Sequence, residues 1–237
     1  MTHTPQLATD YYGQPIKGWL LSEKLDGIRA YWTGSELLTK TGKPIICPVS
    51  ITANLPAFPL EGELWAGRGG FQRVLSAFKS GISGDWSGID FVAFDAPSAQ
   101  VIASTRMKVT QIIPSVKAVS QTVITDKRHM KRLVKEILAN GGEGAILRNP
   151  ASLYTAGRSD DYAKVKPVLC DEATFTGKTV TTAKGKTSLV CEYQGATFSL
   201  HTSTPATKGQ LVTFEYYGMT DGGKPRHAQF IAIRDYE

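Results

Sequence analysis

Beyond Pro167 the sequence changes texture. Short β-prone runs dominate there: Ala173–Val180, Thr187–Tyr193, Ala196–His201, Leu211–Tyr217 and Phe230–Arg234, separated by turn residues such as Gln194-Gly195 and Asp221-Gly222-Gly223. Such closely spaced strands predict a small all-β barrel. Before Pro167 strands alternate with helices. Phe71, Val74, Leu75 and Phe78 fall at helical spacing within Gly70–Gly81. Met130, Leu133, Val134, Ile137 and Leu138 do so between Asp126, a capping residue, and Asn140, with Gly141-Gly142 as the stop. Gly18–Leu21 and Ile28–Thr33 read as strands flanking the polar turn Glu23–Gly27. The expectation is an α+β chain of two domains, 1–167 and 168–237, with the boundary near Lys166–Cys170.

Charge follows the same division. The chain carries 27 Lys+Arg against 21 Asp+Glu, a formal +6. Residues 1–167 hold 20 basic and 14 acidic residues, and 168–237 hold seven of each, so the whole excess lies in the first part. A basic surface of this kind suits phosphate-bearing partners, although a mildly basic soluble protein would look the same. The run Lys127, Arg128, Lys131, Arg132 and Lys135 off the apolar stripe of the second helix is read as a solvated outer face. Cys47, Cys170 and Cys191 are far apart, and the four histidines lack ligand spacing, which argues against a zinc site or a disulfide framework. No stretch is apolar enough to span a bilayer, and Met1–Gln14 has no signal-peptide core. No membrane partner is expected, and the location expected from this numbering is cytoplasmic; a periplasmic one would follow from removal of a leader.

The chemistry concentrates in a series of short motifs. Glu23-Lys24-Leu25-Asp26-Gly27-Ile28-Arg29 sets a lysine, a carboxylate, a glycine and an arginine within one turn. Lysine is a nucleophile only when it loses its proton, and an arginine nearby can hold a phosphate. Leu60-Glu61-Gly62-Glu63-Leu64-Trp65 brings carboxylates to a strand. Phe91–Asp95 is an apolar strand that ends on Phe94 and Asp95. Glu143-Gly144-Ala145-Ile146-Leu147-Arg148 repeats the acid–glycine–strand layout, and Tyr162–Pro167 puts Lys164 and Lys166 on one side of a strand. Taken one at a time, each has a plain structural reading: a solvated acid, a core aromatic, a guarded edge strand. Together, Lys24, Arg29, Lys164 and Lys166 around Glu63 and Glu143 suit a nucleotide phosphate with a divalent metal, Mg2+ or Mn2+, held by Glu63 and Glu143.

In this order the motifs resemble those of the covalent nucleotidyltransferases: DNA ligases, RNA ligases and mRNA capping enzymes. Glu63–Phe71 and Gly223–Arg234 most resemble the short bacterial ATP-dependent DNA ligases of the ligase E type. The resemblance runs from about Trp19 to Tyr236. It implies an ATP-grasp-like adenylation domain of antiparallel sheets flanked by helices, followed by an oligonucleotide-binding (OB) barrel. It also implies a monomeric enzyme that seals 5′-phosphate/3′-hydroxyl nicks in duplex DNA, in repair, through lysyl-AMP and DNA-adenylate.

Carried over by position, the resemblance makes Lys24 the residue adenylated by ATP. Arg29 would contact nucleotide or nick phosphate, Glu63 ribose or metal-bound water, and Phe94 adenine. Glu143 would serve the metal, Lys164 and Lys166 the α-phosphate, and Arg226 and Arg234 the pyrophosphate. Lys40 and Arg68 are DNA-contact candidates. Two departures stand out: Thr39-Lys40-Thr41-Gly42 replaces a usual Ser-Arg-Asn-Gly, losing the bidentate fork, and Arg226-His227-Ala228 replaces Arg-Phe-Pro. Alternatives are a capping-type guanylyltransferase or RNA ligase, and a non-catalytic nucleic-acid-binding protein.

Overall fold

The computed structural model describes residues 4–98, 100–165, 169–181, 187–216, 219–220, 222–225 and 227–234. Its contacts divide the chain into two compact units, Met1–Lys166 and Pro167–Glu237.

The first unit is built on two five-stranded sheets. One consists, in order across the sheet, of β1 (Gln6–Asp10), β10 (Gly157–Val165), β9 (Ala145–Arg148), β2 (Leu20–Glu23) and β8 (Thr122–Val123). The other runs β4 (Leu37–Thr39), β3 (Ile28–Trp32), β5 (Leu60–Trp65), β6 (Asp90–Asp95) and β7 (Lys117–Ala118). The expected all-antiparallel sheets are in fact mixed, because β1 pairs with β10 and β6 with β7 in parallel. Both parallel partners are too polar or too short to stand out in the sequence: β1 reads Gln-Leu-Ala-Thr-Asp and β7 is two residues long.

Strand alternation gives each sheet two distinct faces. In the first sheet Leu21, Ala145, Leu147, Ala163 and Val165 point to one side. There they pack against Met130 and Val134 of α3 (Lys127–Ala139). The intervening residues Ser22, Ile146, Arg148, Tyr162 and Lys164 point to the other side. In the second sheet Ala30, Leu60, Leu64, Phe91 and Ala93 pack on Val74 and Ala77 of α1 (Phe71–Ser80). Asp126 caps α3 by accepting from the His129 amide at 2.8 Å, and the five basic residues of that helix are exposed. A third helix, α2 (Ala103–Ile112), packs on β6 and β7.

The second unit is one antiparallel sheet, ordered β13 (Ala196–His201), β12 (Thr187–Tyr193), β11 (Leu169–Thr181), β14 (Leu211–Tyr216) and β15 (Gln229–Arg234). β11 is long enough to pair with β14 through Leu169–Thr174 and with β12 from Thr174 onward. An irregularity between Phe175 and Lys178, where Gly177 has φ +85°, bends the strand between its two partners. Phe175, Tyr193, Phe198, Phe214 and Tyr216 fill the core, with the Phe198 and Phe214 rings 4.9 Å apart. A small all-β barrel was expected. Among the described residues the order is open, with no ladder joining β13 to β15.

Candidate active site

β2 and β3 belong to different sheets, so the turn between them is not a hairpin: residues 24–27 carry the chain from one sheet to the other. The crossing is held at both ends. The Lys24 amide donates to the Gly144 carbonyl at 2.9 Å, and Gly27 passes so close to β5 that a Cβ there would overlap the Leu64 carbonyl and the Glu63 side chain. Close approach, rather than left-handed backbone, is what requires this glycine.

The inner faces of the two sheets enclose a cavity of about 160 Å³. The first sheet supplies Ala8, Ser22, Glu23, Ile146, Arg148, Tyr162 and Lys164. The crossing supplies Lys24 and Leu25, and the second sheet Glu63 and Phe94. Met107 of α2, Val119 and Gln121 complete the wall. Half of the lining residues are apolar or aromatic and five are charged, so polar groups converge on an apolar floor as in small-molecule sites. Lys24, Glu63, Phe94 and Lys164, all expected in the site, are brought together here.

Charges around the crossing are paired in sequence-distant couples. The Lys24 ammonium contacts the Glu143 carboxylate directly. The Lys164 ammonium lies 3.5 Å from Asp10. Burial pushes the Glu63 carboxyl up to about 8, and nearby Glu143 and Asp26 add to the rise that Arg29 and Lys24 oppose. Glu63 therefore keeps a proton near neutrality until more positive charge arrives. Arg29 donates to Glu61 at 2.8 Å, and its guanidinium sits 5.2 Å from the centre of the Phe94 ring. Burial works against the Arg29 charge, but Glu61, Tyr162 and Tyr154 together more than offset it, and the guanidinium titrates above its usual value. The Tyr154 hydroxyl donates to the other Glu61 oxygen at 2.9 Å, so the acid fixes Arg29 from a position that is itself fixed.

Arg148 and Tyr162 of this wall also belong to a buried cluster that the sequence did not mark as a unit. Asp95, fully buried, accepts from Arg106 Nε at 2.8 Å and contacts Arg148 directly. Arg106 also donates to the carbonyls of Val101 (2.6 Å) and Ser152 (3.3 Å), and Arg148 lies 4.2 Å over the Tyr162 ring. Asp95 and Arg148 were visible in the motifs. Arg106 was not, because nothing in its segment distinguishes a buried arginine from a surface one.

Other expected residues lie elsewhere. Lys40 is exposed on the tight turn after β4 and does not line the cavity. Arg68 makes a two-pronged contact with Glu23, both at 2.8 Å, and so ties the loop after β5 to the residue beside Lys24. Glu23 is backed in turn by Gly142, where a Cβ would lie 2.9 Å from Glu23 Oε1 and 2.5 Å from Ile137. Arg234 donates to Thr213 at 2.8 Å and lies 3.3 Å from Glu172, within the second unit's own sheet. Lys166 and Arg226 lie outside the described residues. Among the described residues no group of three acids, histidines or cysteines forms a protein-only metal cage. Glu63 and Glu143 are two carboxylates beside a cationic pocket, a donor set that fits Mg2+ completed by substrate phosphates and water.

No protein-family model matches the chain. A DNA ligase of Haemophilus influenzae is 30% identical over 240 residues, covering 93% of this chain and 88% of that protein. The chain belongs to the DNA ligase family. A DNA ligase of Methanothrix thermoacetophila is 42% identical over 50 residues, 21% of this chain and 9% of that protein. Among solved structures, one from a structure-function study of Lig E DNA ligases, described as binding DNA with a minimal scaffold, superimposes with a TM-score of 0.65. It is 34% identical and covers 99% of this chain and all of that one. The Chlorella virus DNA ligase-adenylate shares the fold at a TM-score of 0.61 and 24% identity, over 100% of both chains. Among the described residues, no helix of this ligase is long and apolar enough to cross a membrane.

Proposed function

We propose that Lys24 is the residue through which this ATP-dependent DNA ligase takes AMP, and that its substrate is a nick with 5′-phosphate and 3′-hydroxyl ends in duplex DNA. The observation that carries the reading is the position of Lys24: on the crossing between two sheets, at the mouth of a cavity that offers an aromatic ring (Phe94), an aliphatic floor (Ile146) and a second lysine (Lys164). The first unit is read as the adenylation domain and the second as the OB domain.

Lys24 Nζ must shed a proton before it attacks the α-phosphorus of ATP, and the contacting Glu143 carboxylate is placed to hold it. Attack forms the lysyl–phosphorus bond and releases pyrophosphate. Lys164, with Lys166 beside it in sequence, neutralises charge developing on the α-phosphate. AMP then passes from Lys24 to the 5′-phosphate of the nick. The 3′-hydroxyl displaces it, closing the backbone. Glu63 and Glu143 would hold a divalent ion, Mg2+ or Mn2+, whose positive charge supports the phosphates. Arg29, Lys40 and Arg68 are read as DNA-facing cations, and Arg226 and Arg234 as partners of the leaving pyrophosphate.

The test is labelling with ATP that carries the isotope at its α-phosphate. The parent should give one labelled lysine, its phosphoramidate link stable to alkali and cleaved by acid, mapped to Lys24. Lys24→Ala should give none, and should seal nicks only when they are supplied already adenylylated. A Lys24→Ala variant that seals with ATP as well as the parent overturns the reading. Preferential labelling by GTP would favour a capping-type guanylyltransferase instead.

A further inference from the structure

Two polar side chains in the cavity have no task in the reaction just described. Ser22 and Gln121 both line it, and neither side chain makes a hydrogen bond among the described residues. Their placement follows from strand register. Lys164 pairs with Ile146 across β10 and β9, and Ile146 pairs with Ser22 across β9 and β2. Leu21 pairs with Thr122 on β8, so in an antiparallel pair the next residue back on that side, Gln121, comes opposite Ser22. One row therefore crosses the cavity floor: a cation, an aliphatic side chain, a hydroxyl and a primary amide. Neighbouring strands are about 4.8 Å apart, so Lys164 and the Ser22–Gln121 pair lie on the order of 10–14 Å from each other. A nucleotide has its phosphate and the far edge of its base separated by a comparable span.

We infer that Gln121, supported by Ser22, is the specificity-determining residue that reads the hydrogen-bonding edge of the purine. The inference rests on the Lys24 reading and deepens it. With the phosphate held by Lys24 and Lys164, a base lying between Phe94 and Ile146 turns its edge toward this pair. Adenine presents a 6-amino donor next to a ring-nitrogen acceptor, and a primary amide presents an acceptor and a donor in one plane. A purine without the 6-amino group leaves the Gln121 carbonyl oxygen half-buried and unpaired, which penalises it relative to adenine. The sequence held no sign of this role: Gln121 lies between segments, in no motif, and only the register of a two-residue strand brings it to the cavity.

The experiment compares lysyl-AMP formation from ATP with lysyl-nucleotide formation from purine riboside triphosphate, which differs only in lacking the 6-amino group. In the parent, ATP should be favoured. In Gln121→Leu the ratio of the two kcat/KM values should shrink roughly tenfold, mainly through a raised KM for ATP, with a smaller loss for the purine analogue, which has only the ring-nitrogen contact to lose. Gln121→Glu retains the acceptor and should keep most of the discrimination, which guards against a Leu variant that folds poorly. An ATP-to-analogue ratio unchanged in Gln121→Leu, or a parent that does not distinguish the two nucleotides, overturns the inference while leaving Lys24 intact. A parent that forms no lysyl adduct with either nucleotide overturns the underlying Lys24 reading instead.

Discussion

Two charged clusters lie within the first unit, built from the same residue types and put to opposite uses. Around Asp95, two arginines, two carbonyls and a tyrosine ring leave the carboxylate fully buried and held by both guanidinium groups. Around Lys24, Glu143, Glu63 and Lys164, the ion pairs are partly exposed, solvent reaches the lysine, and one acid holds its proton near neutrality. Close pairing under burial holds the wall, with Arg148 Nε alone of the guanidinium atoms there buried and unpartnered among the described residues; a charge removed there leaves its partners stranded. Solvent-exposed pairing leaves groups free to exchange partners with a phosphate. The contrast separates residues that hold the site from residues that work in it.

The sharpest way to break that contrast is to remove one member of each cluster. Asp95→Ala should destabilise the fold by about 3–5 kcal/mol, because two buried guanidinium groups lose their counter-charge; urea unfolding measures it. A loss below about 1 kcal/mol would show that the cluster is not closed. Lys24→Ala should abolish adenylylation while leaving the urea midpoint nearly unchanged, since a partly exposed ion pair contributes little. A large stability loss there would collapse the distinction.

The third test uses pH in metal-free protein. The Glu63 carboxyl titrates near 4.5 in an unfolded chain and at about 8 in the folded one, so the folded state binds its proton more tightly. Its contribution is full below about 4.5 and is lost as pH rises toward 8. The parent should lose stability across that window, and Glu63→Gln should lose less, which thermal melts at pH 5, 6.5 and 8 would show. Equal slopes would mean that Glu63 is ionised throughout. The smallest effect is expected at Arg68. Arg68→Ala should leave the melting temperature in place and weaken nick binding only severalfold, with the effect fading at higher salt; an unchanged affinity removes Arg68 from the DNA-facing set.

How far the sequence carried depended on whether a signal was periodic or relational. α1 and α3 were legible because their apolar residues recur at helical spacing, and Lys24, Glu63, Phe94, Glu143 and Lys164 because they stand in ordered motifs. β1 was hidden by its polar composition; it is a strand because β10 offers it a parallel partner some 150 residues away. α2 was hidden because its buried side includes Arg106 and Thr110 alongside Ala103 and Met107. Gln121, Tyr154 and Arg106 share a third obstacle: their roles are defined by what they face, and a linear pattern does not encode facing. The motif around Lys24 illustrates both sides. Its residues were readable, yet its passage between two sheets was not.

The alternation along β2, β9 and β10 sets a rule of parity. Ile146 and Arg148, and Tyr162 and Lys164, are each two residues apart with the helix-facing Leu147 and Ala163 between them, and Ser22 follows the helix-facing Leu21. Each of these strands can therefore exchange one side chain for another, but it cannot gain or lose a single residue. One residue added before Leu21 would turn Leu21 into the cavity and Ser22 into the core beneath α3. Variation in such a ligase is thus confined to substitution within these strands, and changes in length must fall in the loops that join them.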